Sequence, residues 1–186
     1  MQRFEDVFGK YIEKNCNNAP LRESEVVGLQ IATEDNAIRV ALSSPCIIPY
    51  SAIAEAQRIL SMNLSARSVA ISARYPSELL GPEAFSLVID YLKAANVPVN
   101  GFFRRAEIMY DNRCFTVRLP EQTVTFLEPL ALPGKIAAQA EALFGIRPQV
   151  SFIPVPDYEL KPIDPRPTVV DDYTPPIPEE APPWED

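Results

Sequence analysis

Histidine is absent from the 186 residues, and with it go the commonest general base, the usual proton shuttle near neutral pH and the commonest metal ligand. Acid–base or nucleophilic chemistry would fall to carboxylate, lysine or cysteine groups, and no constellation of these stands out. Glycine is scarce, with six in all. Gly134 and Gly145 stand alone, and there is neither a Gly-x-Gly-x-x-Gly fingerprint nor a Walker loop to hold phosphate on backbone amides. The Gly-x-x-Gly loop with which K-homology modules clamp nucleotides is missing too. Three cysteines, Cys16, Cys46 and Cys114, are far apart and odd in number, which suits neither a disulfide framework nor a zinc site. They read as small apolar fillers in a reducing compartment. Long apolar runs are also lacking. Residues 1–14 mix Phe4, Val7, Phe8, Tyr11 and Ile12 with charges, unlike a signal peptide, and nothing later approaches a membrane span. A soluble cytoplasmic protein without catalytic site, cofactor, metal or small-molecule substrate is expected.

Charge is present but unevenly spread. The formal net charge is −8, which argues against nucleic acid as a partner. From Pro154 to Asp186, however, nine acidic residues face only Lys161 and Arg166. That stretch carries most of the excess and leaves the body close to neutral. It also holds ten of the twenty prolines and little that could enter a core, so residues 154–186 are expected to be a disordered acidic, proline-rich linker or tail. Trp184, the only tryptophan, is a candidate for a short linear motif there.

Upstream, periodicity organises the chain. Phe4, Val7, Phe8, Tyr11 and Ile12 recur at helical spacing, and the run Asn15-Cys16-Asn17-Asn18 closes that helix with a turn. Val26 to Thr33 and Ala37 to Ser43 read as a hairpin across Glu34-Asp35-Asn36, with Ile38, Val40 and Leu42 alternating on one face. Ser51 is positioned to cap a helix through Ser61, and Ser68 to Tyr75 alternates again as a strand. Pro82 opens a second helix with Phe85, Val88, Ile89 and Leu92, ended by Asn96-Val97-Pro98. A short helical turn is expected near Asn100 to Arg104. A second hairpin, Ala106 to Tyr110 with Cys114 to Leu119, turns on Asp111-Asn112. Pro133 to Phe144 is a helix stopped by Gly145, and Gln149 to Ile153 the last strand.

The order strand, strand, helix, strand thus occurs twice, with an Asp-Asn turn in each hairpin. The expected fold is α+β: an N-terminal helix in residues 1–20, then two small β-β-α-β half-domains in residues 21–78 and 79–153. Each should be a three-stranded sheet covered by helices.

Candidate functional groups are few. The carboxylates Glu5, Asp6, Glu13, Glu23 and Glu25 have polar neighbours and read as a solvated surface. Arg104, Arg105, Arg113 and Arg118 cluster around the second hairpin and could meet phosphates, with Phe102, Phe103 and Phe115 nearby to stack on bases. Arginine alternating with Phe or Val is equally ordinary on a half-exposed hairpin, and the phenylalanines then belong to a core.

This order of elements, with Ser44-Pro45-Cys46-Ile47-Ile48-Pro49-Tyr50 leading into a helix, Val69-Ala70-Ile71 as the following strand, Phe85-Ser86-Leu87-Val88-Ile89-Asp90-Tyr91-Leu92 as a helix and a last helix ending Phe144-Gly145, resembles the non-catalytic N-terminal region of the PolC-type DNA polymerase III alpha subunit, the replicative polymerase of low-GC Gram-positive bacteria. The resemblance covers residues 1–153. It implies halves similar to the polymerase-binding C-terminal domain of the clamp-loader tau subunit and to truncated K-homology folds. It further implies an N-terminal piece of a DNA-directed DNA polymerase with a proofreading exonuclease, and a docking role in the replisome with the tau subunit or another replisome protein as partner. Single-stranded DNA binding of K-homology type and a free-standing adaptor are the alternatives.

Overall fold

A computed structural model describes residues 2–12, 18–99 and 101–156. Cys16, the start of the first turn, and the expected tail beyond Pro156, with Trp184, lie outside the described residues.

The chain opens with a two-residue strand, β1 (Gln2–Arg3), and helix α1 (Phe4–Ile12), which buries Phe4, Phe8 and Ile12 at a four-residue spacing that keeps them on one face. Asn18, expected as part of a turn, instead caps a short helix, α2 (Ala19–Glu23). Its side-chain oxygen accepts the Leu21 N–H at 3.0 Å, and Pro20 occupies the first turn. The expected hairpin follows as β2 (Glu25–Ala32) and β3 (Ala37–Ser43), antiparallel, with a bulge between Val26 and Gly28.

Helix α3 (Tyr50–Asn63) buries Ile53, Ala56, Ile59 and Leu60. It is entered through Pro49 at φ −56° and ψ 136° rather than through a Ser51 cap. The ring fixes φ while the residue is still extended, so the chain turns into the helix without a side-chain acceptor. β4 (Ser68–Arg74) alternates as expected, with Val69, Ile71 and Ala73 inward, and lies parallel to β3. A 3-10 turn at Ser77–Leu79 leads to α4 (Ala84–Ala94), which buries Phe85, Leu87, Val88 and Leu92.

Beyond α4 the expected short helix near Asn100 appears as a turn within Gly101 to Arg105, closed by the Arg104 N–H donating to the Gly101 carbonyl at 3.2 Å. β5 (Glu107–Asp111) and β6 (Cys114–Pro120) form the second hairpin. An additional helix, α5 (Glu121–Leu127), again follows a proline, Pro120, at φ −54° and ψ 138°. α6 (Leu132–Phe144) ends at Gly145 with φ +71°, its N–H donating to the Glu141 carbonyl at 2.8 Å. β7 (Gln149–Val155) then runs parallel to β6.

The fold is α+β, with two small sheets ordered β1-β2-β3-β4 and β5-β6-β7. Both halves are wired alike: an antiparallel hairpin, a helical crossover, and a third strand parallel to the second arm of the hairpin. Matching hydrogen bonds start the two parallel ladders. Arg67 N–H donates to the Asn36 carbonyl at 2.9 Å in the first half, and Gln149 N–H to the Arg113 carbonyl at 2.9 Å in the second. Asn36 and Asn112 both adopt φ 47° in their turns, the left-handed region that asparagine tolerates best after glycine. The first sheet has four strands instead of the expected three because β1 adds to β2 at Val26 and Glu25. The halves are not separate bodies. α3 packs on α4 and β4 on α6, the Tyr75 N–H donates to the Leu143 carbonyl at 2.8 Å, and buried residues of both halves form one continuous core.

Candidate interaction surface

The four arginines around the second hairpin do not form one patch. Arg118 stands on β6 directly opposite Glu107 and pairs with it at 2.8 Å, both about a third exposed. Its charge is matched across the ladder. Arg113 is exposed at the tip of the hairpin, at φ 61°. At about 3.3 Å per residue it lies roughly 16 Å from Arg118. Arg104 (exposed) and Arg105 (half-buried) sit in the turn leading into β5, at the end that carries the Glu107–Arg118 rung.

The phenylalanines divide in the same way. Phe115 is fully buried, edge-on to Phe85 at 5.4 Å and packed on Tyr110 at 4.7 Å. Phe103 packs on Phe85 at 5.4 Å and Phe152 at 5.9 Å. Phe115 has no face for a base, and Phe103 is half-buried and tied into the core by these contacts. Phe102 differs, because it packs at 5.2 Å on Phe126 of α5, which is 59% exposed. The sequence reading did not single out Phe126, whose helix has one buried residue, Leu127, and so no periodic signal.

Two adjoining hollows share Gly101 and Arg104. The first, of about 210 Å³, lies between α4 and β5. Its walls are Phe85, Ile89, Val99, Phe103 and Ile108, and Asp90 and Arg104 are its charged lining residues. The second, of about 350 Å³, is more polar and is bounded by Phe102, Arg104, Arg105, Pro120, Gln122 and Thr123. Gly101, at φ +74°, lets the chain reverse between them. Pocket volumes for small molecules run from about 300 to 1,000 Å³, so the apolar hollow is suited to one large side chain rather than a cofactor.

Elsewhere, charged groups are surface features. Glu5 pairs with Arg22 at 3.4 Å, and Asp6 accepts the Arg3 backbone N–H at 3.2 Å. Glu23 and Glu25 are exposed, and Glu13 is outside the described residues. Among the described residues no three His, Cys, Asp or Glu side chains gather as a metal site. No helix there is long and apolar enough to cross a membrane. Cys46, read as a buried filler, is exposed in the loop before α3, and Cys114 is half-buried. Ser44 takes the inward place there instead, donating from its hydroxyl to the Cys46 carbonyl at 2.7 Å.

One further cluster escaped the sequence reading. Tyr50, Tyr75 and Tyr91 meet where α3, β4 and α4 converge, with the rings of Tyr50 and Tyr91 edge-on at 4.8 Å. Tyr75 donates a long 3.4 Å bond to the Ile48 carbonyl, and burial pushes its hydroxyl up to about 12. Burial, then the neighbouring tyrosines, raises Tyr91 as well, and its hydroxyl oxygen is enclosed beside the Tyr75 hydroxyl and the Ala73 backbone without hydrogen-bond geometry to any described residue. Both stay protonated at neutral pH. The chain matches no family model and no curated protein.

Proposed function

We propose that this chain is a non-catalytic protein-interaction module of a bacterial replicative DNA polymerase of the PolC type, docking it to a replisome partner such as the clamp-loader tau subunit. The observation that carries a docking role is the apolar hollow between α4 and β5 with Asp90 and Arg104 among its lining residues. Interfaces concentrate binding energy where a large side chain is received in a desolvated pocket, with polar groups around it selecting the partner. The polymerase setting rests on the resemblance of residues 1–153 to that family.

The test is a binding titration of the full chain against the tau C-terminal domain, with clamp and helicase in parallel. Binding that is weakened about tenfold or more by Arg104→Glu, or by Ile89→Ala within the hollow, supports the reading. Absence of binding to all three proteins overturns the replisome assignment.

A second reading, a single-strand nucleic-acid binder of K-homology type, draws support from the exposed Phe126 ring on Phe102 beside the cleft of Arg104 and Arg105. Such binding depends on phosphate neutralisation and falls steeply with salt. Salt-sensitive binding of oligodeoxythymidine that Phe126→Ala weakens would favour it over docking to protein.

A further inference from the structure

β2 is an edge strand for most of its length. Among the described residues β1 covers it only at Glu25 and Val26, and from Val27 to Ala32 it has a neighbour on one side alone. Along this open stretch Val27, Leu29 and Ile31 are 49%, 50% and 64% exposed, three of the seven large apolar side chains that stand out among the described residues. Leu29 and Ile31 lie opposite Val40 and Ile38, on the face of the sheet that carries the core, yet the helices leave them half uncovered.

Monomeric proteins blunt such edges with charges, prolines or covering groups. The opposite edge of this sheet is covered in part: the Ile71 N–H of β4 donates to Gln57 Oε1 at 2.8 Å, so a side chain from α3 takes one of its outward donors. Among the described residues β2 has no such protection from Val27 to Ala32. From Val26 to Thr33 there is no charged residue and no proline. A copy of the same strand therefore meets no like charge there.

The charges at the two ends of the stretch decide the occupant. One end is flanked by Arg3 on β1, exposed and without an ion pair among the described residues, although it lies in register with Glu25. At the other, the hairpin turn presents Glu34 and Asp35, both exposed. Two copies of β2 placed antiparallel about a two-fold axis bring the acidic turn of each beside the Arg3 end of the other. We infer that two copies of this chain associate through β2, joining their four-stranded sheets into one of eight, with Val27, Leu29 and Ile31 covered and two Arg3 to Glu34/Asp35 contacts closing the ends. An isologous contact of this kind is self-limiting, because it uses the same edge on both copies.

Sedimentation of the full chain from about 1 to 200 μM, the range in which small interfaces associate, tests this. A monomer–dimer equilibrium is expected, weakened at least tenfold by Ile31→Lys and also by Arg3→Glu, with circular dichroism unchanged in both. Met62→Lys, at an apolar side chain of α3 that is 67% exposed, should leave it intact. A chain that stays monomeric throughout refutes the proposal. So does a dimer indifferent to both Ile31→Lys and Arg3→Glu, or one lost equally with Met62→Lys. A chain that remains monomeric alone but pairs with an extended partner peptide along β2 also refutes it and assigns the edge to that partner.

Discussion

Tyr91 supplies a substitution expected to stabilise the protein. Its hydroxyl oxygen is enclosed at the junction of the two halves with no hydrogen-bond partner among the described residues, while its ring packs edge-on to Tyr50. Tyr91→Phe keeps the ring and removes the hydroxyl. A buried hydroxyl left unpaired costs about 1–3 kcal/mol, so Tyr91→Phe should raise stability at pH 7 by about 1–2 kcal/mol. For a chain of this size that is a rise of roughly 2–8 °C in Tm. Tyr75→Phe is the contrasting case, because Tyr75 donates to the Ile48 carbonyl, though at 3.4 Å. Losing so long a bond should cost up to about 1 kcal/mol.

The same two groups set an alkaline limit. Burial holds the native hydroxyl of Tyr75 at about 12, and raises Tyr91 too, whereas an unfolded tyrosine titrates near 10. Above pH 10 the unfolded chain therefore releases protons that the native state keeps. The stabilisation is complete below pH 10 and is lost as pH rises toward 12, by about 2–3 kcal/mol for Tyr75 alone at roughly 1.4 kcal/mol per unit. Urea unfolding at pH 7, 9, 10.5 and 11.5 would show it, and Tyr91→Phe should flatten the decline. A Tyr91→Phe protein less stable than the parent at pH 7, or a parent whose stability does not fall between pH 10 and 12, refutes the reasoning.

Phe115→Ala empties a site enclosed by Phe85 and Tyr110 and should cost about 3–5 kcal/mol in denaturant unfolding, whatever it does to ligand binding. Gly145→Ala meets open space but φ +71°, so the expected loss is about 1 kcal/mol, from backbone strain rather than a clash. It is readable as a few degrees in Tm.

Most of the first-order architecture was legible because local chemistry and tertiary position agreed. Alternation in Ile38-Arg39-Val40-Ala41-Leu42 and in Phe115 to Leu119 marked strands that do bury one face, and the Asp-Asn turns placed both hairpins. Gly145 stopped α6 where only a residue tolerant of positive φ fits easily. What escaped was short or poorly patterned. α5 is rich in β-branched and polar residues and buries only Leu127, α2 has five residues with one inward side chain, and β1 has two residues in all. Such segments have too few inward positions for a period to emerge and owe their form to a proline, a cap or a neighbouring strand.

The four arginines are spread over the second hairpin for a related reason. Closeness in sequence along a hairpin becomes separation in space, since a strand carries Arg113 and Arg118 to opposite ends, and cross-strand register then hands Arg118 to Glu107. The sequence by itself determined the types of the longer elements, the repeated strand, strand, helix, strand order and the two hairpin turns, because these follow from spacing and backbone preference within a few residues. The parallel pairing of β3 with β4 and of β6 with β7, the sharing of one core, the hollow between α4 and β5 and the bare edge of β2 were decided only by tertiary structure. Each depends on which distant surfaces meet, and a surface left uncovered has no signature in the residues that form it.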